Sequence, residues 1–173
     1  SVLYHIDTSE PCMPPVPVKV DLPSIIKIRD VAVSSTHTLV VSCDGDVFSW
    51  GEGRKGELGH GDLQSRTVPE RVEALKGKSI KRVACGDAFS VFGSDNGIVM
   101  TCGDGSSGCL GHGDWSSASR PRLIESLLSA DVTALACGAS HVVAVGSDGE
   151  IFAWGKNDHG QLGLGDDESE ENM

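Results

Sequence analysis

The sequence predicts an all-β fold, a partial β-propeller of about three four-stranded antiparallel blades. Three observations carry this prediction: a 52-residue period through the chain, short β-branched segments closed by Asx-Gly pairs within each period, and glycine at five fixed positions of every repeat.

The period is unbroken. Trp50-Gly51, Cys102-Gly103 and Trp154-Gly155 are spaced by 52 residues, as are Leu58-Gly59, Leu110-Gly111 and Leu162-Gly163. Ala84-Cys85 and Ala136-Cys137 share the spacing, with Ala32-Val33 one repeat earlier, and Pro17, Pro69 and Pro121 extend the register backwards. Of the 22 glycines, 15 sit at the five shared positions. A regular period of this length marks a tandem array of one supersecondary unit.

Inside the unit the pattern is β. Ile80–Cys85, Phe89–Ser94 and Ile98–Cys102 are short, rich in Val, Ile and Phe, and bounded by turn residues. Asp44-Gly45, Asn96-Gly97 and Asp148-Gly149 recur at one position and supply the positive φ of a tight hairpin. A fourth strand is expected after each proline, at Val18–Val20, Glu70–Val72 and Arg122–Ile124, because proline is tolerated at a strand's start or on an edge. A turn of helix is expected near Glu125–Ser129. Gly51–Asp62 and its copies form a glycine-rich loop. Its Gly51, Gly103 and Gly155 allow tight backbone, and Leu58, Leu110 and Leu162 plug gaps between blades.

These frames divide the chain into an irregular insertion or linker over 1–16 and repeats over 17–68, 69–120 and 121–173, one domain fragment in all. Ser1 at the start and the stop at Met173 suggest cuts in a longer chain.

The run Gly160-Gln161-Leu162-Gly163-Leu164-Gly165-Asp166, after Trp154-Gly155, resembles the RCC1 (regulator of chromosome condensation) repeat signature. Val83-Ala84-Cys85-Gly86 and Ala136-Cys137-Gly138-Ala139-Ser140-His141 resemble its other half, so the resemblance covers about residues 17–166. It implies a seven-bladed ring, of which this chain supplies under half. Gly97–Thr101 and Gly108–Gly113 are further similar to the C-terminal propeller of some NIMA-related protein kinases. That likeness implies a kinase domain in the parent, outside these residues. Departures are Cys102 in place of the aromatic of Trp50 and Trp154, and Phe89 in place of His37 and His141.

Composition narrows the partners. With 25 acids against 14 bases and a net charge of −11, the chain repels phosphate, which argues against nucleic acid and anionic membrane. No apolar run approaches the roughly 20 residues of a membrane span, and no basic-then-apolar leader opens the sequence. The six cysteines include no CxxC pair, so free thiols in a reducing compartment are expected.

The remaining motifs read as structure. Gly51–Gly56 and Gly103–Gly108 fit GxGxxG, but Leu-Gly-His-Gly-Asp follows where a nucleotide site requires a helix. His37, His141, Cys85 and Cys137 are expected to be blade packing, with the two thiols buried and metal-free. His60 and His112, each in Leu-Gly-His-Gly-Asp, read as loop-filling residues. Trp115 lies in a polar loop without strand pattern, where an exposed Trp is a candidate binding hot spot; the plain alternative is a ring folded over a blade edge. Arg54 and Lys55 form a small basic spot in an otherwise acidic chain, or a solvated loop.

The reading is therefore a non-catalytic, regulatory protein-interaction scaffold without cofactor or metal. Its partners would be proteins, including a kinase domain of the same parent chain, and it would self-associate or require the remaining blades. The expected location is intracellular, foremost cytoplasmic, with centrosome, cilium or nucleus allowed by the family. The alternative, from the activity of the family's founding member, is nucleotide exchange on a small GTPase.

Overall fold

A computed structural model describes residues 16–22 and 26–165. Most of the expected insertion over 1–16, Cys12, and the acidic stretch Asp166–Glu171 lie outside the described residues.

Short segments rich in β-branched and aromatic residues form eleven strands, and the inner ones are buried on both faces. The first blade is β1 (Ile28–Val33), β2 (His37–Ser42), β3 (Val47–Gly51) and β4 (Arg66–Arg71). The second is β5 (Ile80–Cys85), β6 (Phe89–Ser94), β7 (Val99–Gly103) and β8 (Ala118–Leu123); the third is β9 (Val132–Cys137), β10 (His141–Gly146) and β11 (Ile151–Gly155). Each blade is an antiparallel meander. The first two have four strands, and the third has three among the described residues.

Several expected boundaries are corrected. Val18–Val20 forms no strand and is exposed, since no strand of the described chain lies beside it. The outer strands begin before their prolines rather than after them. Pro69 and Pro121 each sit fourth in a strand, which is allowed because β4 and β8 are sheet edges. The third strand of the middle blade starts at Val99, one residue later than expected. The expected turn of helix is a single 3-10 turn, Glu125–Leu127, and Glu73–Leu75 repeats it one blade earlier. Both turns seat a buried leucine, Leu127 and Leu75, between blades.

The hairpins also differ in detail from expectation. Gly45 N donates to Ser42 O at 3.0 Å and Ser42 N to Asp46 O at 2.9 Å. This closes a three-residue loop in which Gly45, at φ +87°, takes the left-handed position and Asp44 does not. The same pair of bonds recurs at Gly97 and Gly149. All fifteen glycines of the 52-residue period have positive φ, which accounts for their recurrence.

The cores lie between blades. Cross-strand rows give each sheet a forward and a backward face. In the middle blade Ala84, Val91 and Val99 point forward, where Val132, Val142 and Ala144 of the third blade meet them. Val83, Phe92, Met100 and Cys102 point backward onto Leu39, Val41 and Val47 of the first blade. At about 25 cal/mol per Å² of apolar surface, these two contacts supply most of the packing energy. Leu58 and Leu110 are buried, whereas Leu162 is half-buried.

The meander fixes where the loops go. The β1–β2 and β3–β4 connections, with their copies, emerge on one side. The short hairpins and the links carrying the 3-10 turns emerge on the other.

Candidate binding surface

The long β3–β4 and β7–β8 loops, residues 52–65 and 104–117, form the loop face and carry Arg54, Lys55 and Trp115. Gly51 shows why they turn so sharply. It has φ +109°, and a Cβ there would come within 2.4 Å of Thr36 O. Gly103 and Gly155 repeat this arrangement against Ala88 O and Ser140 O. Neither GxGxxG segment leads into a helix; each continues as turns.

Trp115 is 72% exposed. Its ring lies against Gly108, where a Cβ would meet Cζ3 at 3.0 Å. The ring therefore rests on its own loop instead of filling a blade edge. The loop beneath it is braced: Asp114 Oδ1 accepts from Ser116 N at 2.9 Å, and Arg122 Nη1 reaches Asp114 Oδ2 at 3.3 Å. The Ser116 amide and then the Arg122 guanidinium hold the Asp114 carboxyl below its usual range. Asp62 makes the same turn with Gln64 N at 2.9 Å in the first blade, presenting Leu63, also exposed, at the position of Trp115.

Arg54 and Lys55 are not free cations. Arg54 Nε lies 3.5 Å from Glu52 Oε1, and Lys55 Nζ lies 3.2 Å from Asp104 Oδ2 of the next loop. The Lys55 pair joins two blades across the loop face. Both residues share a face with Trp115, their charges turned to Glu52 and Asp104.

Beneath the loops His37, read in the sequence as blade packing, joins a polar cluster with Ser34, Ser90 and Glu57, which the sequence did not single out. Ser34 Oγ donates to His37 Nδ1 at 2.9 Å, and His37 Nε2 donates to Ser90 Oγ at 2.8 Å. Ser90 Oγ in turn donates to Glu57 O at 2.6 Å, which fixes the proton on His37 Nε2. With its proton committed to a carbonyl, Ser90 is not an activated nucleophile. Burial lowers the His37 pKa to about 4. The Glu57 side chain is buried too, its Oε2 accepting from Lys55 N at 2.7 Å, and desolvation raises its pKa. The other two repeats hold uncharged residues at this position, Cys109 and Gln161.

His60 and His112 fill the loops as expected. His60 Nε2 lies 2.9 Å from Ser49 Oγ, and His112 Nε2 lies 3.0 Å from Thr101 Oγ1. In the third repeat both partners change together, to Ala153 and Leu164. Trp50 and Trp154 are half-buried, and Trp154 Nε1 donates to Cys109 O at 2.9 Å. Cys102, in place of that aromatic, is fully buried, with Sγ 3.6 Å from Glu57 O.

Cys85 and Cys137 are half-buried rather than buried, because they flank the loop face at the ends of β5 and β9. Burial pushes the Cys85 thiol up to about 12 and the Cys137 thiol higher still. No group of three or more His, Cys, Asp or Glu converges on a metal position among the described residues. No helix of the described residues is long and apolar enough to cross a membrane.

Comparison with known proteins agrees with this architecture. The model of the regulator of chromosome condensation (RCC1) repeat matches residues 44–92 and 96–145, and a second RCC1-repeat model matches 28–57 and 132–161. The ultraviolet-B receptor UVR8 of Arabidopsis thaliana is 39% identical over 150 residues, 87% of this chain and 34% of the receptor. The serine/threonine-protein kinase Nek8 of Danio rerio is 36% identical over 83% of this chain and 21% of the kinase. The E3 ubiquitin-protein ligase HERC2 of Homo sapiens is 38% identical over 80% of this chain and 3% of the ligase. The chain thus spans about a third or less of these relatives. Among solved structures, human WBSCR16 superimposes with a TM-score of 0.69 at 29% identity, covering 83% of this chain and 37% of that one. Yeast RCC1 (Prp20), solved bound to Kap60, gives a TM-score of 0.70 at 23% identity over 79% of this chain and 34% of that one, a likeness of fold. Two repeats matched in succession, on blades that share one meander and one inter-blade packing, place this chain in the RCC1 repeat family.

Proposed function

We propose that this chain is a non-catalytic scaffold for protein–protein interaction, working as the propeller portion of a larger regulatory protein inside the cell. The observation that carries the reading is Trp115, a large aromatic side chain exposed on a loop already braced by Asp114. An aromatic anchor fixed before binding loses little entropy when a partner covers it. The polar residues beneath the loops satisfy one another and supply neither an activated nucleophile nor a free general base. The relatives support the same view: a receptor, a kinase and a ubiquitin ligase share this repeat while their named activities differ. Likeness to Nek8 supports a kinase-associated parent.

The test is capture of partners by the intact parent protein, wild-type against Trp115→Ala, read by mass spectrometry. Loss of specific proteins with the variant supports the scaffold. An unchanged partner set overturns the assignment to Trp115. A small GTPase among the lost proteins, with exchange activity that follows it, would replace the scaffold reading with nucleotide exchange.

A further inference from the structure

The short-hairpin side of the molecule, opposite the loops that carry Trp115, holds a cleft at the boundary between the first and second blades. The link Gly77–Ser79 runs there between two hairpin tips. Asp95 N donates to Ser79 O at 2.8 Å on one side, and a Cβ on Gly45 would meet Ser79 Cα at 3.1 Å on the other. Lys78 N donates to Leu75 O at 3.0 Å, so the backbone of the link is held in place. Beside the link opens a cavity of about 580 Å³ floored by Ile98, Met100 and Leu123. A smaller hollow of about 160 Å³ adjoins it across Ser79 and Asp95 and is lined by Arg29 and Lys81. Both blades of this boundary have all four strands, so the cleft has its full set of walls.

The cleft is basic in a chain of net charge −11. Arg29, Lys78 and Lys81 line it against Asp44 and Asp95. Lys27 and Lys76 each stand two residues before one of these cations. Lys81 and Asp95 are joined to each other. Arg29 donates to a carbonyl, that of Cys43, at 3.2 Å, and Lys78 is exposed and makes no ion pair among the described residues. The repeat does not require these cations. One period later Lys76, Lys78 and Lys81 become Leu128, Ala130 and Thr133, while Asn96 and Ile98 become Asp148 and Glu150. The same side of the third blade is therefore acidic, with Glu125, Asp131, Asp148 and Glu150 all exposed. That neighbour sets the size of the anion. A lipid surface or a nucleic-acid backbone that crosses both blades is repelled at the third, whereas a short acidic peptide stays within the basic part.

We infer that this cleft binds a short acidic segment of a partner protein, with one aliphatic side chain seated over Ile98, Met100 and Leu123 and carboxylates beside it on Lys78 and Arg29. Burial of the aliphatic group supplies affinity, and the charges supply orientation and rate of encounter. The walls are fixed before binding, which lowers the entropy lost on capture. The cleft lies on the side opposite Trp115, so it is a second contact surface and stands whether or not Trp115 binds a partner.

The experiment is fluorescence anisotropy of a labelled peptide, a single leucine flanked on both sides by glutamates, titrated with the intact protein at low salt. Saturable binding that weakens with added salt is expected. Lys78→Glu and Arg29→Glu are each expected to weaken it at least about tenfold. Both sites are exposed, so each variant keeps the wild-type circular dichroism. A peptide with serine in place of the leucine is expected to bind about tenfold more weakly to the unaltered protein. Trp115→Ala is expected to bind the leucine peptide as the wild type does. Absence of saturable binding, or binding indifferent to both charge reversals, overturns the inference. Equal affinity for the serine peptide overturns the seat over Met100 and with it the cleft. Phosphatidylserine vesicles or a single-stranded oligonucleotide bound with the same dependence on Lys78 and Arg29 would make the surface a general polyanion site and overturn the assignment to an acidic segment. Loss of peptide binding in Trp115→Ala would move the contact to the loop face and overturn it equally.

Discussion

His37 Nε2 lies 2.8 Å from Ser90 Oγ across the boundary between the first and second blades, and one repeat later the same two positions hold Phe89 and Val142. The two boundaries solve one packing problem with a polar pair and an apolar pair. At the first, the carbonyl of Glu57 accepts from Ser90 at 2.6 Å and is approached by Cys102; at the second, the carbonyl of Cys109 accepts from Trp154 at 2.9 Å. Ser90 thus supplies a donor where Cys102 has replaced an aromatic.

Ser90→Val alone is expected to cost about 2–4 kcal/mol, because it orphans both the His37 N–H and the Glu57 carbonyl in a buried site. His37→Phe with Ser90→Val, which copies the second boundary, is expected to cost less than the sum of the single changes by at least about 1 kcal/mol. Urea unfolding of the four proteins measures the coupling. Additive costs would mean that the two side chains do not act as a pair.

Acid is expected to weaken the fold through His37. Its folded pKa of about 4 lies below the unfolded value of 6.5, so the neutral ring is favoured by folding. The unfolded chain takes up its proton first as pH falls. Stability is therefore complete above pH 6.5 and declines as pH drops through the window to about 4, by an amount on the order of 3 kcal/mol. Glu57 works in the opposite direction. Its raised pKa means that its charge costs stability at neutral pH and that the cost vanishes on protonation. Burial lowers His60 and His112 in the same direction, so unfolding between pH 7.5 and 4.5 is compared in Glu57→Gln backgrounds with and without His37→Phe/Ser90→Val, and the difference isolates His37. A decline undiminished in the His37→Phe/Ser90→Val protein would assign it to the other groups.

Much of this was legible in the sequence once the period was found. The strands, the loops and the recurrent glycines follow from repetition, and the fifteen positive φ angles give the repetition its cause. The outer strands were misplaced because Pro69 and Pro121 were read as strand starts; only the sheet order shows that they lie on an edge. The pairs between blades were hidden for another reason. His37 and Ser90 are 53 residues apart, one more than the period, so comparing equivalent positions never sets them side by side. Trp115 was legible as a loop residue; its support from Asp114 and Gly108 was not.

The two tryptophans of the second and third blades are expected to separate binding from folding. Trp115→Ala removes a ring that is 72% exposed and should change stability by less than about 1 kcal/mol. Trp154→Ala removes apolar contact with the core between the second and third blades and leaves the Cys109 carbonyl without its donor, so a loss of about 3–5 kcal/mol is expected. Thermal and urea unfolding of both variants decide the matter. A Trp115→Ala protein as unstable as Trp154→Ala would make Trp115 a structural residue.

Thiol reactivity provides an independent reading of the same packing. Among the described residues Cys43 is exposed on a hairpin, while Cys85, Cys102, Cys109 and Cys137 are buried or half-buried. Burial pushes Cys85 up to about 12 and Cys109 up to about 11, and it raises Cys102 and Cys137 further. The thiolate is the attacking form, so these four thiols are almost wholly unreactive at pH 7.5. In a Cys12→Ser background, with an aromatic disulfide reagent in native buffer, Cys43 should react first, and adding Cys43→Ser should remove that fast phase. The four others should become reactive together on unfolding, with rates that follow the urea transition. Fast labelling of Cys85 or Cys137 in the native protein would mean that the ends of β5 and β9 open to solvent. Zinc bound in proportion to protein, and lost on replacing either cysteine, would show instead that these thiols are ligands and not packing.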